Sequence, residues 1–336
     1  MVRILEKYQS KSITPVDDYE CKLSDELIKA ANDLLGETPE IRDKCLTEFR
    51  EWIWNNPRIE KCRMDSMFLL RFLRINRFSM QHAKECFERY LIFREGLYGC
   101  DWFTNLDLNR PGLSQVLNDG LYVVLPTKAK TGETIVLVRC GASNPSDKDA
   151  GNIAFCVSTL VMETVFEEEE NQIRGYRLIL DMSKVKLSHY FMFNFSTWFR
   201  ILKHVERTFT GRHISCSIMG LNPATRFISN MIIKHMREKM RKVVSCPSCP
   251  KELDFLDIKY LPTDLGGEYT VEQLMEPLKK KLNLWRDLFL KYGEMKVNRK
   301  YYTDAVLKCD AGTLTHKLEN KSAKLLTVYP DENENN

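Results

Sequence analysis

The sequence predicts an α/β domain with a mostly parallel sheet, preceded by an all-helical amino-terminal domain. Two observations carry this. From about residue 121, short β-rich runs alternate with longer helical ones: LYVVL (121–125), TIVLVRC (134–140), YRLILDM (176–182), ISCSIM (214–219) and KVVSC (242–246). Helical segments fall between them at about 152–167, 191–209 and 223–240, which is the βαβ rhythm of a parallel sheet. Before residue 105, in contrast, the pattern is one of helices separated by capped breaks. Ser24 caps one helix; Thr38, followed by Pro39 and Glu40, starts another that ends near Asn55, Asn56 and Pro57. Asp65 precedes MFLLRFLRINRF, and Ser79 opens a helix with Ala83, Phe87, Tyr90, Leu91 and Arg94 on one side. After LPTDLGG (261–267) comes a tail whose Leu274, Leu278, Leu282, Trp285, Phe289 and Tyr292 share a helix face, with a bend expected at Pro277. The expected domains are therefore 1–105, 106–268 and 269–336.

Composition narrows the function classes. The chain has 336 residues, 43% of them hydrophobic, ample for a packed core. Its 50 basic residues against 46 acidic ones leave no chain-wide basic field, so no nucleic-acid partner is expected. MVRILEKYQS lacks the apolar run of a signal peptide, and nowhere do about eighteen apolar residues follow one another. Eleven cysteines, an odd and scattered number, suit a reducing compartment better than a disulfide framework. The expectation is a cytoplasmic, monomeric protein.

Charge is concentrated in one place. Arg226 to Lys242 holds six Lys and Arg residues against Glu238, a local +5 in a chain that nets +4. At 100° per residue, Arg226, Asn230, Lys234, Arg237 and Arg241 fall on one stripe, with Phe227, Ile228, Met231, Ile232, Met236 and Met240 around the rest. Such a helix suits an anionic, oily surface. Two other helices are richer in apolar residues than one contact needs. In 152–167 only Asn152, Thr159 and Glu163 form a polar stripe; in 191–209, Phe191, Phe195, Trp198, Leu202, Val205 and Phe209 form an aromatic seam. Core packing explains any one of these residues, while three such helices together predict a shared apolar cavity.

Catalytic and cofactor signatures do not assemble. The connection CGASNPSDKDAG after the second strand has neither the GxGxxG nor the GxxxxGK[ST] spacing of a phosphate cradle. Ser146 stands where a Cys-x5-Arg cradle starting at Cys140 would need arginine. Cys246 and Cys249 in SCPSCP are the one suggestive pair, but a structural zinc needs four ligands. No nucleophile, base and orienting group come together. The sequence favours a binder over an enzyme, with no metal and no cofactor.

FLLRFLRINRFSMQHAKECFERYLIFR (68–94), RGYRLILDMSKVKLSH (174–189) and LPTDLGG (261–267) resemble, in order and spacing, motifs of the CRAL-TRIO family of lipid-transfer proteins. The resemblance spans roughly residues 40–290. It implies a helical amino-terminal domain and an α/β domain that encloses one lipophilic molecule behind a mobile helical gate, here about Asn222 to Met240. The cavity positions it implies are Phe155, Ser158, Met162 and Phe166 on the first helix, Phe195, Trp198 and Leu202 on the second, and Phe227, Met231 and Ile232 on the gate. Basic residues on and beside the gate grip a phosphoinositide headgroup in the tocopherol-transfer branch. The matching positions here are Lys234, Lys239, Arg212 and Lys242, and the stripe adds Arg226, Arg237 and Arg241 as membrane or phosphoinositide contacts. The expected partners are thus a small lipophilic ligand of retinoid, tocopherol or other lipid type, and an anionic membrane touched transiently. A non-transferring lipid sensor or membrane adaptor is the alternative.

Overall fold

The computed structural model describes residues 5–96, 104, 106–192, 208, 210–307, 314–316 and 326–329. Contacts divide the chain into two units: Met1–Thr104 with Arg207–Thr210 and Leu290–Asn336, and Asn105–Glu206 with Gly211–Phe289. The segment expected as one carboxy-terminal extension is therefore shared, residues 269–289 joining the α/β unit and those from 290 joining the first.

The first unit is built on capped helices: α1 (Asp25–Leu35), α2 (Pro39–Asn55), α3 (Ser66–Ile75) and α4 (Met80–Gly96). Ser24, Thr38 and Asp65 each accept a hydrogen bond from a first-turn backbone N–H, as their positions predict. Between the helices, Phe49, Phe68, Phe72 and Phe87 meet edge to face at centroid distances of 4.9–6.2 Å. This unit is not wholly helical, because strand β1 (Ile59–Lys61) pairs antiparallel with Lys296–Val297.

The second unit carries the sheet. After α5 (Leu113–Asn118), strands β2 (Tyr122–Lys128), β3 (Thr134–Arg139), β4 (Tyr176–Asp181), β5 (His213–Met219) and β6 (Val244–Ser245) lie in the order β2-β3-β4-β5-β6. β2 is antiparallel to β3, and the remaining neighbours are parallel. β3 and β4 are paired on both edges, and the near-continuous apolar run TIVLV in β3 is what an interior strand covered on both faces requires. Helix α6 (Ala150–Phe166) crosses over between β3 and β4, followed by α7 (Glu169–Arg174). The helix expected at 191–209 lies almost wholly outside the described residues. Beyond α8 (Leu187–Tyr190), β5 leads into α9 (Pro223–His235) and α10 (Glu238–Arg241), and β6 follows. The tail helix α11 (Val271–Leu284) runs through Pro277; it ends at Trp285, before α12 (Arg286–Lys291).

Two glycines are fixed by close approaches. Gly220 has φ +73°, and a Cβ there would sit 2.6 Å from the Ser183 backbone nitrogen, so the loops leaving β4 and β5 meet only because it is glycine. At Gly267 a Cβ would lie 1.8 Å from the Leu261 carbonyl oxygen, which closes the LPTDLGG turn on itself. Within that turn Asp264 Oδ2 accepts from Arg139 at 2.6 Å and from Lys184 at 2.9 Å. Burial alone would push this carboxyl up, but the hydrogen bonds from Lys184 and Arg139 outweigh it and hold it below its ordinary value. A carboxylate depressed in the folded state contributes stability above its unfolded pKa of about 3.9 and loses it as pH falls through the folded value. Asp264→Asn is expected to lose about 1 kcal/mol at neutral pH, the site being one-third exposed, and to flatten the acid limb. Urea unfolding across pH 2–6 checks this.

Candidate functional site

Strand alternation sorts the sheet into two faces. Register places Tyr122, Val124, Val136, Val138, Tyr176, Leu178, Leu180, Cys216, Ile218 and Val244 on the same one. α6 lies over this face: Phe166 meets Tyr176 at a ring-centroid distance of 5.8 Å. α9 lies over it too. Its Ile228, Ile232 and Ile233 pack on a cluster that includes Cys216 and Ile218, against which Leu178 and Leu180 also pack. Two helices thus share one apolar sheet face. On that face Tyr122, Val124, Leu178, Leu180, Phe155 and Ser158 keep part of their surface accessible. Tyr122 and Cys140 combine that accessibility with strong desolvation, since burial pushes the phenol and the thiol each up to about 12.

The predicted residues distribute as follows. Phe155 and Ser158 are half-buried on α6, with Met162 and Phe166 buried beyond them. Phe195, Trp198 and Leu202 lie outside the described residues. On α9, Met231 and Ile232 are half-buried, but Phe227, expected inside the cavity, is 74% exposed. The helix period explains the correction. Thr225 and Ser229 are the buried positions of α9, and residue 227 falls about 200° from either, on the far side. Phe191, expected in a buried seam, is 67% exposed at the end of α8. There Tyr190 Oη donates to the Thr225 carbonyl (3.3 Å) and lies 3.1 Å from Ser229 Oγ, tying α8 to α9. The exposed Leu187, Phe191 and Phe227 therefore belong to one pair of joined helices.

The basic stripe is present but not on one helix. Met236 and Arg237 are extended (ψ 149° and 147°), separating α9 from α10. The break puts Glu238 in the first turn of α10, where its charge is favourable, and Glu238 pairs with Lys242 one turn on at 2.6 Å. Arg226 and Lys234 lie on α9, Arg237 precedes α10, Lys239 and Arg241 lie on it, and Lys242 follows; all six are exposed. Arg212 is half-buried at the start of β5, with a guanidinium N–H donating to the Ile173 carbonyl. The outer face of α9 thus carries Arg226, Asn230 and Lys234 together with Phe227 and Met231.

The opposite sheet face holds a polar groove of about 590 Å³ lined by Arg177, Ser215, Ser217, Lys242, Ser245, Cys246, Glu252 and Asp254 among others. Cys246 and Cys249 are free thiols, and among the described residues no three or more His, Cys, Asp or Glu side chains converge to hold a metal. Among the described residues, too, no helix is long and apolar enough to cross a membrane.

A five-stranded, mostly parallel sheet with helices gathered over its apolar face, following a helical region, defines a CRAL/TRIO domain: residues 118–267 match the model of that domain, and residues 38–113 match that of the Pinta-like UBA domain. The resemblance read from the sequence motifs holds. Among curated proteins, the chain is 30% identical over 187 residues to Clavesin-1 of Pongo abelii, covering 54% of this chain and 52% of that protein. It is 30% identical over 176 residues to the alpha-tocopherol transfer protein-like protein of Mus musculus, covering 51% and 48% respectively. Human (Homo sapiens) Clavesin-2 matches at 29% over 161 residues, 48% of each chain. The chain spans about half the length of these relatives.

Proposed function

We propose that this protein is a carrier, not an enzyme, that encloses one small lipophilic molecule between the sheet, α6 and α9 and exchanges it at anionic membranes, phosphoinositide headgroups included. The observation that carries the reading is a coincidence of surfaces: the helices that cover the apolar sheet face present both the basic stripe and three exposed apolar side chains. The energetics fit. A cargo with about 15 CH₂ groups exposed to water faces a penalty of order 12 kcal/mol, so a carrier must cover it completely and open only where oil is continuous with a bilayer. Each basic side chain near an anionic leaflet contributes about 1 kcal/mol, so Arg226, Lys234, Arg237 and Arg241 together offer roughly 4 kcal/mol before losses. Docking of this strength is reversible and salt-sensitive, as shuttling demands. Phe227 acts as a membrane wedge beside Leu187 and Phe191, and the cavity belongs to the inward-facing Ile232 with Phe155, Ser158 and Met162.

Transfer of a fluorescent lipid between donor and acceptor vesicles tests the reading. Acceptors containing anionic lipid should accelerate transfer over neutral ones, whereas vesicle binding without transfer would indicate a sensor or adaptor. The double variant Phe191→Ser with Phe227→Ser removes insertable surface worth about 1 kcal/mol or more per ring, and transfer should slow about tenfold. An unchanged rate would remove the wedge from the mechanism.

A further inference from the structure

We propose that Ser245, on the edge strand β6, is a phosphorylation site whose phosphate switches off membrane docking by the neighbouring basic stripe. The proposal rests on the membrane-exchange reading above and names its regulation. Arg241 and Lys242 stand four and three residues before Ser245, so an acceptor hydroxyl follows two cations, a charge pattern of the kind that kinases read in their substrates. Access comes from the fold. Among the described residues β6 ends the strand order and pairs only with β5; Ser245 is exposed, lines the polar groove and has its Oγ 3.1 Å from Ser217 Oγ. An extended segment with one unpaired edge can be gripped by another protein without unfolding the sheet. The other hydroxyls near the stripe fail one condition each. Ser215 follows Arg212 by three residues but is half-buried on β5, an interior strand. Ser229 follows Arg226 by three residues and is buried. Ser248 is exposed, yet the residues three and four before it, Ser245 and Val244, carry no charge.

Transfer of the γ-phosphoryl group of ATP forms a bond from Ser245 Oγ to phosphorus, breaks the bond from phosphorus to the oxygen bridging the β- and γ-phosphates, and releases ADP and the hydroxyl proton. The resulting ester carries about −1.5 to −2 charges at pH 7. Arg226 to Lys242 holds a local +5, so a phosphate at residue 245 brings that charge down to about +3 beside Arg241 and Lys242. The groove, at about 590 Å³, has room for it and offers both signs: Arg177 and Lys242 with the Ser215 and Ser217 hydroxyls, against Glu252 and Asp254. Arg177 is held by Glu133 at 3.1 Å and is largely covered, whereas Lys242 is exposed and its pair with Glu238 is open to solvent. A dianionic phosphate therefore competes with Glu238 for Lys242, and that draws a cation of the stripe away from lipid headgroups.

Incubation of the full chain with ATP and the catalytic subunit of cAMP-dependent protein kinase, which selects serines preceded by basic residues, is expected to place phosphate on Ser245, read by peptide mass spectrometry. The modified protein should bind phosphatidylserine vesicles about tenfold more weakly than the unmodified one at low salt, with the difference shrinking as salt is added and the thermal transition unchanged. Ser245→Ala, treated identically, should keep its vesicle affinity, which assigns the loss to this hydroxyl and not to phosphate elsewhere on the chain. Ser245→Asp, with a single negative charge, should show a smaller loss of about threefold. Absence of phosphate from Ser245, or full vesicle affinity in protein that carries it, overturns the switch and leaves the exchange reading standing. An unmodified wild type that ignores anionic vesicles overturns that reading and the switch with it.

Discussion

Reversal of two charges of the basic stripe, Lys234→Glu with Arg237→Glu, is expected to weaken binding to phosphatidylserine vesicles by about 100-fold at low salt. Each reversal removes an attraction of about 1 kcal/mol and adds a comparable repulsion, a swing approaching 4 kcal/mol for the pair. Screening reduces it, because both side chains are exposed and the Debye length is about 8 Å at physiological ionic strength. The loss should therefore shrink as salt is added and vanish on neutral vesicles, and thermal stability should be unaffected. Flotation of the variant with anionic and neutral vesicles reads all of these. Wild-type affinity on anionic vesicles at low salt would remove α9 and its extension from the docking surface.

Much of the fold was legible because its signals are local. Strands β3, β4 and β5 begin and end within a residue of their apolar runs, and Ser24, Thr38 and Asp65 cap the helices their sequence positions announced. The break at Met236 and Arg237 was hidden for a physical reason. Arg237 and Arg241 continue the phase set by Arg226 and Lys234, so periodicity reports one stripe whether or not the backbone between them is helical.

The candidate site was legible by composition and less so by direction. Apolar richness located α6 and α9 over a common face, but which side of α9 looks inward was decided by tertiary packing at Thr225 and Ser229, neither of them apolar. Phe227 therefore read as lining and stands on the outside. Phe191 shared a periodic seam with its successors in sequence, yet it ends the four-residue helix α8, exposed to solvent. The split of the carboxy-terminal segment near residue 290 depends on β1 pairing with Lys296–Val297, a contact spanning more than two hundred residues that no local pattern encodes.

The largest stability effect is expected at Glu37. Its carboxylate receives two hydrogen bonds from Arg74, from Nε and from a terminal guanidinium nitrogen, both at 2.8 Å, with the two side chains 2% and 0% exposed. Arg42 approaches the same carboxylate at 3.8 Å. Glu37→Ala removes both of these charge-assisted hydrogen bonds from a buried guanidinium, and breaking a buried pair typically costs about 3–5 kcal/mol because water cannot replace the lost partner. Hydrogen exchange over α1, α2 and α3, together with denaturant unfolding of the full chain, should both register the loss. The attraction within such a pair barely repays the desolvation of its two ions, so the double replacement Glu37→Leu with Arg74→Met is expected to recover most of that stability. Full recovery would show that the first unit keeps its fold through packing, with the ion pair fixing the path of the α1–α2 turn. A double variant as unstable as Glu37→Ala alone would show that the charges themselves hold the helices together.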